Sequence, residues 1–258
     1  MSDTAPIPRL RVGILIWSAG TLGAVTVAIG VLPQLSAKMP LPAPLWLITL
    51  ASVFQSALLV ALAVWSGTAL APAVGLRAPA FEAAATRQPV MPALKPQILP
   101  GFAAGVLGGF LLFASLGLSP AAIAALQDQF TPPLYARMLY GGITEEVLLR
   151  WGLMAAFTWL AWRFFQGKRG AVHPALTWLA IAVSALLFGV GHLPVASYLI
   201  GSLNPSVVLF VVGLNATFGL LFGWLFWRRG LESAMIAHAI THFVSYWATE
   251  LSGVLGAA

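Results

Sequence analysis

The sequence predicts an all-α, polytopic integral membrane bundle of about seven transmembrane helices, and three observations carry that prediction. Of the 258 residues, 60% are hydrophobic and 8% charged, with a mean hydropathy of +0.92. A soluble domain carries about 25% charged residues, so this chain lacks the polar side chains to cover a water-facing surface. Second, the apolar residues fall into runs near the roughly 20 residues that a helix needs to cross a bilayer core. Third, the basic residues behind the net charge of +6 gather in the connections between alternate runs, as the positive-inside rule requires. That placement removes the nucleic-acid reading that a pI near 10.3 invites. With no cysteine, disulfide frameworks, iron–sulfur clusters, thiolate zinc sites and cysteine nucleophiles are excluded.

Each span follows from its run. The first extends from Val12 to Leu32, beyond the roughly 7–15 residues of a signal-peptide core. The second covers Leu45 to Ala71. From Pro72 to Pro100, six prolines and the charges of Arg77, Glu82, Arg87 and Lys95 predict a loop, with a short interfacial helix near Phe81–Thr86. The third span is predicted from Gly101 to Leu118. The fourth runs from Pro133 to Phe165, longer than a bilayer requires, with Gly141-Gly142 as the place for a kink. The fifth covers Pro174 to His192 and is stopped by Pro194, the sixth Ser206 to Trp227, and the seventh Glu232 to Leu251. An eighth appears if Val195–Leu203 enters the membrane or the fourth is broken. The whole chain, 1–258, reads as one integral membrane domain. Arg9, Arg11, Arg77, Arg87, Lys95, Arg163, Lys168, Arg169, Arg228 and Arg229 then share one side, which predicts a cytoplasmic N-terminus, in a bacterial inner membrane.

An ionisable residue inside a span costs about 2.5–3.5 kcal/mol on insertion scales and marks function by default. Such residues are concentrated here: Glu145, Glu146 and Arg150 in the fourth span, His192 ending the fifth, His238 and His242 in the seventh. Glu146 and Arg150 are four apart with Glu first, the favourable order for a helical ion pair. Glu145 points about 100° away and has no partner on its own helix, which suits a general base. His238 and His242, also four apart, project from one face. Arg137, near the start of the fourth span, reads as an interfacial side chain. Taken singly, each of these groups also fits a hydrogen bond between packed helices. One free carboxylate and three histidines on three helices point instead to a common water.

Glu145-Glu146-x-x-x-Arg150, Phe188-x-x-x-His192 and His238-x-x-x-His242, in that order, resemble the EExxxR, FxxxH and HxxxN motifs of the CPBP family. These are the CAAX proteases and bacteriocin-processing enzymes, also called Abi intramembrane proteases. The resemblance covers a core of about 133–251 and implies an intramembrane endopeptidase acting on a membrane-anchored protein or peptide. It assigns Glu145 and His192 to water activation, His238 and the residue at 242 to the oxyanion, and Glu146 with Arg150 to support. His242 stands where the family usually has Asn. A metal-free, glutamic-type reaction is the expectation. The same set of Glu145, His192, His238 and His242 has donors acceptable to zinc, although a ligating Glu145 would no longer serve as the base. Two other classes remain open at this point: a catalytically inactive scaffold, on account of His242, and a transporter or proton relay using the buried Glu and His residues.

Overall fold

The computed structural model describes residues 8–37, 42–129 and 131–256. Among them every regular element is helical: α1 (Arg9–Gly30), α2 (Leu32–Ser36), α3 (Leu45–Leu70), α4 (Pro79–Ala85), α5 (Val90–Leu116), α6 (Ala121–Gln129), α7 (Leu134–Ala136), α8 (Ala155–Phe165), α9 (Pro174–Gly191), α10 (Leu193–Ile200), α11 (Pro205–Arg229) and α12 (Leu231–Gly256). In hydrocarbon every backbone N–H and C=O must be satisfied within the segment, and a helix does so. Five helical stretches among the described residues are long and apolar enough to cross a membrane: Arg9–Ser36, Leu45–Val74, Val90–Leu116, Pro174–Ile200 and Pro205–Arg229. The 134–165 stretch and α12 are comparably long but carry the ionisable residues. Large apolar side chains face outward, with Phe54 and Trp65 each 73% exposed. That pattern belongs to a protein whose solvent is lipid.

Three boundaries differ from the sequence-based expectation. The loop predicted to Pro100 ends at Pro89, and α5 continues through Pro96 and Pro100. Pro92 lies in the first turn, where its missing N–H leaves no bond unmade, and membrane helices tolerate interior prolines when neighbours re-satisfy the backbone. Ser233 does this in part, donating to the Gln97 carbonyl at 3.2 Å. Pro194 does not end the fifth span so much as begin the next helix, since it occupies the first turn of α10. The Gly141-Gly142 pair lies within the first of two π-wound segments, Arg137–Glu145 and Val147–Met154, that join α7 to α8. Such i→i+5 winding is rare and is frequent at functional sites.

Helix packing relies on glycine where backbones must approach closely. Along α5, Gly101, Gly105 and Gly109 face Ile236, Ile240 and Val244 of α12; a Cβ on Gly105 would sit 2.6 Å from the Ile240 Cβ. The start of α12 is itself covered: Leu231, Ser233 and Ala234 are fully buried. The Glu232 carboxylate accepts from the Ala80 and Phe81 amides at 2.7 and 3.0 Å. It thereby satisfies the N-terminus of α4, where a negative charge also meets the positive end of the helix dipole. A straight layout with each span starting at the surface separates His192 from His238 in depth. In the structure His238 is buried, and both it and His192 lie 3.8 Å from Glu145.

Candidate active site

Glu146 is fully buried and sits at the centre of a polar cluster. Its Oε2 lies 3.3 Å from the Arg150 Nε, the ion pair expected from the four-residue spacing. Its Oε1 accepts from the His238 Nδ1 at 2.8 Å. That second bond, between helices, is not foreshadowed by the spacing. The π winding accounts for it, because each residue turns through less than the roughly 100° of an α-helix. Glu145 and Glu146 are therefore closer in direction than an α-helix would place them, and both reach α12. The Arg150 guanidinium donates to the Gly219 carbonyl at 3.3 Å. It also lies over the rings of Phe188 and Phe222, 4.9 and 5.6 Å from their centroids, which supplies cation–π attraction in place of water.

Glu145 faces the two other helices. Its Oε1 is 3.8 Å from the His192 Nε2 and its Oε2 is 3.8 Å from the His238 Nε2. Those separations are too long for direct hydrogen bonds and suit a bridging water. The His192 Nδ1 lies 2.8 Å from the Phe188 carbonyl. A carbonyl only accepts, so Nδ1 carries the proton and the neutral ring presents a lone pair at Nε2. The family spacing Phe188-x-x-x-His192 thus has a physical content: the residue four before the histidine fixes its tautomer and packs edge-on against its ring.

His242 stacks on His238 with ring centroids 5.0 Å apart, and its Nε2 lies over Gly141. A Cβ on Gly141 would come within 2.8 Å of the His242 Nε2 and 3.1 Å of the His238 Nε2. The glycine keeps open the space onto which both rings converge. The buried His242 Nδ1 has no hydrogen-bond partner. An orphaned acceptor is tolerated more readily than an orphaned N–H, so the favoured tautomer carries its proton on Nε2, facing the cavity as a donor.

All four predicted residues line one cavity of about 460 Å³. Sequence reasoning missed Arg137, Tyr140 and Asn215, which line it too. Arg137, expected from the sequence at the interface, is half-buried and faces this cavity. The available signal was its spacing, since Arg137, Gly141 and Glu145 follow one another at intervals of four. Among the described residues, no group of three or more His, Asp or Glu side chains is disposed to hold a metal ion.

Residues 127–244 match the family described as type II CAAX prenyl endopeptidase, Rce1-like. Over these residues the chain is similar to the Rce1-like family. The matched segment contains Glu145, Glu146, Arg150, His192, His238 and His242, and the family is one of membrane proteases. No curated protein and no solved structure matches the chain.

Proposed function

We propose that this Rce1-like protein hydrolyses a peptide bond in a membrane-anchored protein or peptide, by a metal-free reaction in which Glu145 activates water. The observation that carries the reading is the placement of Glu145 midway between the Nε2 atoms of His192 and His238, at 3.8 Å from each, inside the cavity. Water held there gives a proton to Glu145 while its oxygen attacks the substrate carbonyl carbon, with the His192 lone pair orienting it. The carbonyl becomes an oxyanion, which takes hydrogen bonds from Nε2 of His238 and His242. As the C–N bond breaks, the proton on Glu145 passes to the leaving nitrogen. His238 donates at Nε2 when both its nitrogens are protonated.

Zinc held by Glu145, His192, His238 and His242 is the alternative that the sequence leaves open, but among the described residues no group of three or more such donors is disposed to hold a metal ion. The carbonyl and carboxylate behind the His192 and His238 imidazoles are partners of the kind that metal-ligating histidines use. His242 does not fit that set, because its Nδ1 has no such partner. A ligated Glu145 would also leave the cavity without a base, since the other carboxylate, Glu146, is held by Arg150 and His238.

The cavity is also lined by Val27 of α1, Val31 just after it, Leu112 near the end of α5, Ile123 of α6 and Val195 of α10. These lie at the end of the bundle away from the basic connections. With the N-terminus cytoplasmic, a substrate arrives from the opposite, non-cytoplasmic face. This favours the extracytoplasmic part of an anchored protein over a prenylated cytoplasmic tail. The test is cleavage of lipidated and transmembrane-anchored peptides by the full-length protein in lipid nanodiscs. Glu145→Gln should lower kcat by at least about 10²-fold with an unchanged melting temperature; full turnover by Glu145→Gln would overturn the assignment.

A further inference from the structure

Among the five apolar stretches, Leu45–Val74 is the one that the rest of the chain covers least, with 17% of its apolar window buried. Helix α3 forms most of it and carries an exposed tryptophan near each end, Trp46 at 65% and Trp65 at 73%. The two lie 19 residues apart, about 28 Å of helix. That length matches a hydrocarbon core of about 30 Å with a tryptophan at each boundary. Gln55 stands between them, nine residues from one and ten from the other, and its side chain is exposed. A carboxamide is thereby set near the midplane of the membrane, against lipid.

Lipid offers that amide no partner. Gln34, Gln97 and Asn215 each donate to the carbonyl four residues before them, whereas Gln55 makes no hydrogen bond with any described residue. An unpaired polar group is costly in an apolar medium, and glutamine side chains in membranes bond across packed helices. We propose that α3 is the contact between two copies of this chain, with their Gln55 carboxamides paired across a two-fold axis. Three features select a second copy as the partner. Both copies insert with their basic connections on one side, so an axis along the membrane normal sets every residue of α3 level with its equivalent. A carboxamide carries donors and an acceptor, so Gln55 complements itself through two reciprocal bonds, where a charged side chain would repel its own copy. Ala51, Leu58 and Leu62 are exposed beside it. With Gln55 they recur at intervals of four, three and four, the 3.5-residue period of two helices wound left-handedly about each other. Ala51, one turn from the amide, lets the two backbones approach closely. Helix α3 contributes none of the residues lining the cavity, so pairing leaves the reacting groups as they stand.

Because the chain has no cysteine, one introduced thiol reports contact between copies. Full-length Ala51→Cys, diluted into vesicles of phosphatidylethanolamine and phosphatidylglycerol, should form a covalent dimer on mild oxidation, since a disulfide needs Cα atoms about 4.4–6.8 Å apart. Leu99→Cys, equally exposed but on α5, should not. Counting photobleaching steps of the fluorescently tagged protein across a dilution series then measures affinity. Gln55→Leu should dissociate at least about tenfold more readily than the wild type, the effect of two interhelical hydrogen bonds, and Gln55→Asn should keep part of the affinity. A wild type that is monomeric at every dilution overturns the proposal. So does equal crosslinking of Ala51→Cys and Leu99→Cys, or a Gln55→Leu dimer as tight as the wild type. Should the leucine variant fail to fold, the crosslinking contrast alone decides.

Discussion

Glu146→Gln separates the two adjacent glutamates by stability. Glu146 and Arg150 are 0% and 1% exposed, so neither charge has water to fall back on. Glutamine has the same shape and can still accept from the His238 Nδ1, but it removes the charge 3.3 Å from Arg150. Breaking one partner of a buried pair costs about 3–5 kcal/mol. Two rings and the Gly219 carbonyl remain around the guanidinium, and exposed-to-desolvated cation–π contacts are worth about 0.5–2 kcal/mol, which points to the lower end. About 3 kcal/mol corresponds to a fall of roughly 6–12 °C in melting temperature for a chain of this size. The ten tryptophans allow the melt to be followed by intrinsic fluorescence in detergent. Glu145→Gln, which breaks no direct hydrogen bond, should melt at or above the wild-type temperature. The second-site variant Glu146→Gln/Arg150→Met should recover most of the loss, because it removes the buried cation that Glu146→Gln leaves unpaired. Equal melting temperatures for the two single variants would refute the division into a structural and a reacting carboxylate.

Two further outcomes follow from the same geometry. His242→Asn keeps an N–H donor in the cavity and should retain activity within about tenfold, whereas His242→Ala should lower kcat by about 10²–10³. Elemental analysis of the wild type decides the metal: stoichiometric zinc whose removal by chelator abolishes activity, and whose return restores it, overturns the metal-free reaction. Gly141→Ala would place a methyl 2.8 Å from the His242 Nε2. It should abolish turnover while the protein still elutes as a folded particle in size-exclusion chromatography. Unchanged activity of Gly141→Ala would show that the two imidazoles do not converge over that glycine.

The bundle was legible because lipid leaves the backbone few choices. Uninterrupted apolar runs became α1, α3, α9 and α11 within a few residues of the predicted bounds. Rules learned from aqueous helices misled at α5, where Pro96 and Pro100 looked like breakers. In water a proline inside a helix forfeits a bond that the solvent would otherwise share. In a packed membrane bundle the non-helical alternative forfeits more. The π winding of 137–154 was illegible for a different reason. It lies where Gly141 and Gly142 meet His242 and Ala239 at close range and where Gly20 and Ala63 touch Thr144 and Gly152, contacts between helices that local propensity does not encode.

The same distinction divides the site. Contacts within one helix could be read from spacing: Glu146 with Arg150, His238 beside His242, and His192 over Phe188 all fall four residues apart. Contacts between helices could not, since they depend on the rotation and depth at which distant segments meet. The Glu146–His238 hydrogen bond is the one that matters most. It joins the ion pair regarded as scaffolding to the imidazole proposed to meet the oxyanion. Glu146 thus has two tasks that the sequence presented as one. Its Oε2 balances Arg150 and its Oε1 fixes the His238 ring. A Glu146→Gln protein stabilised by Arg150→Met should accordingly regain its melting temperature without regaining full kcat, because glutamine accepts from Nδ1 but offers no negative charge to a ring donating at Nε2. Full recovery of kcat in that double variant would confine Glu146 to scaffolding.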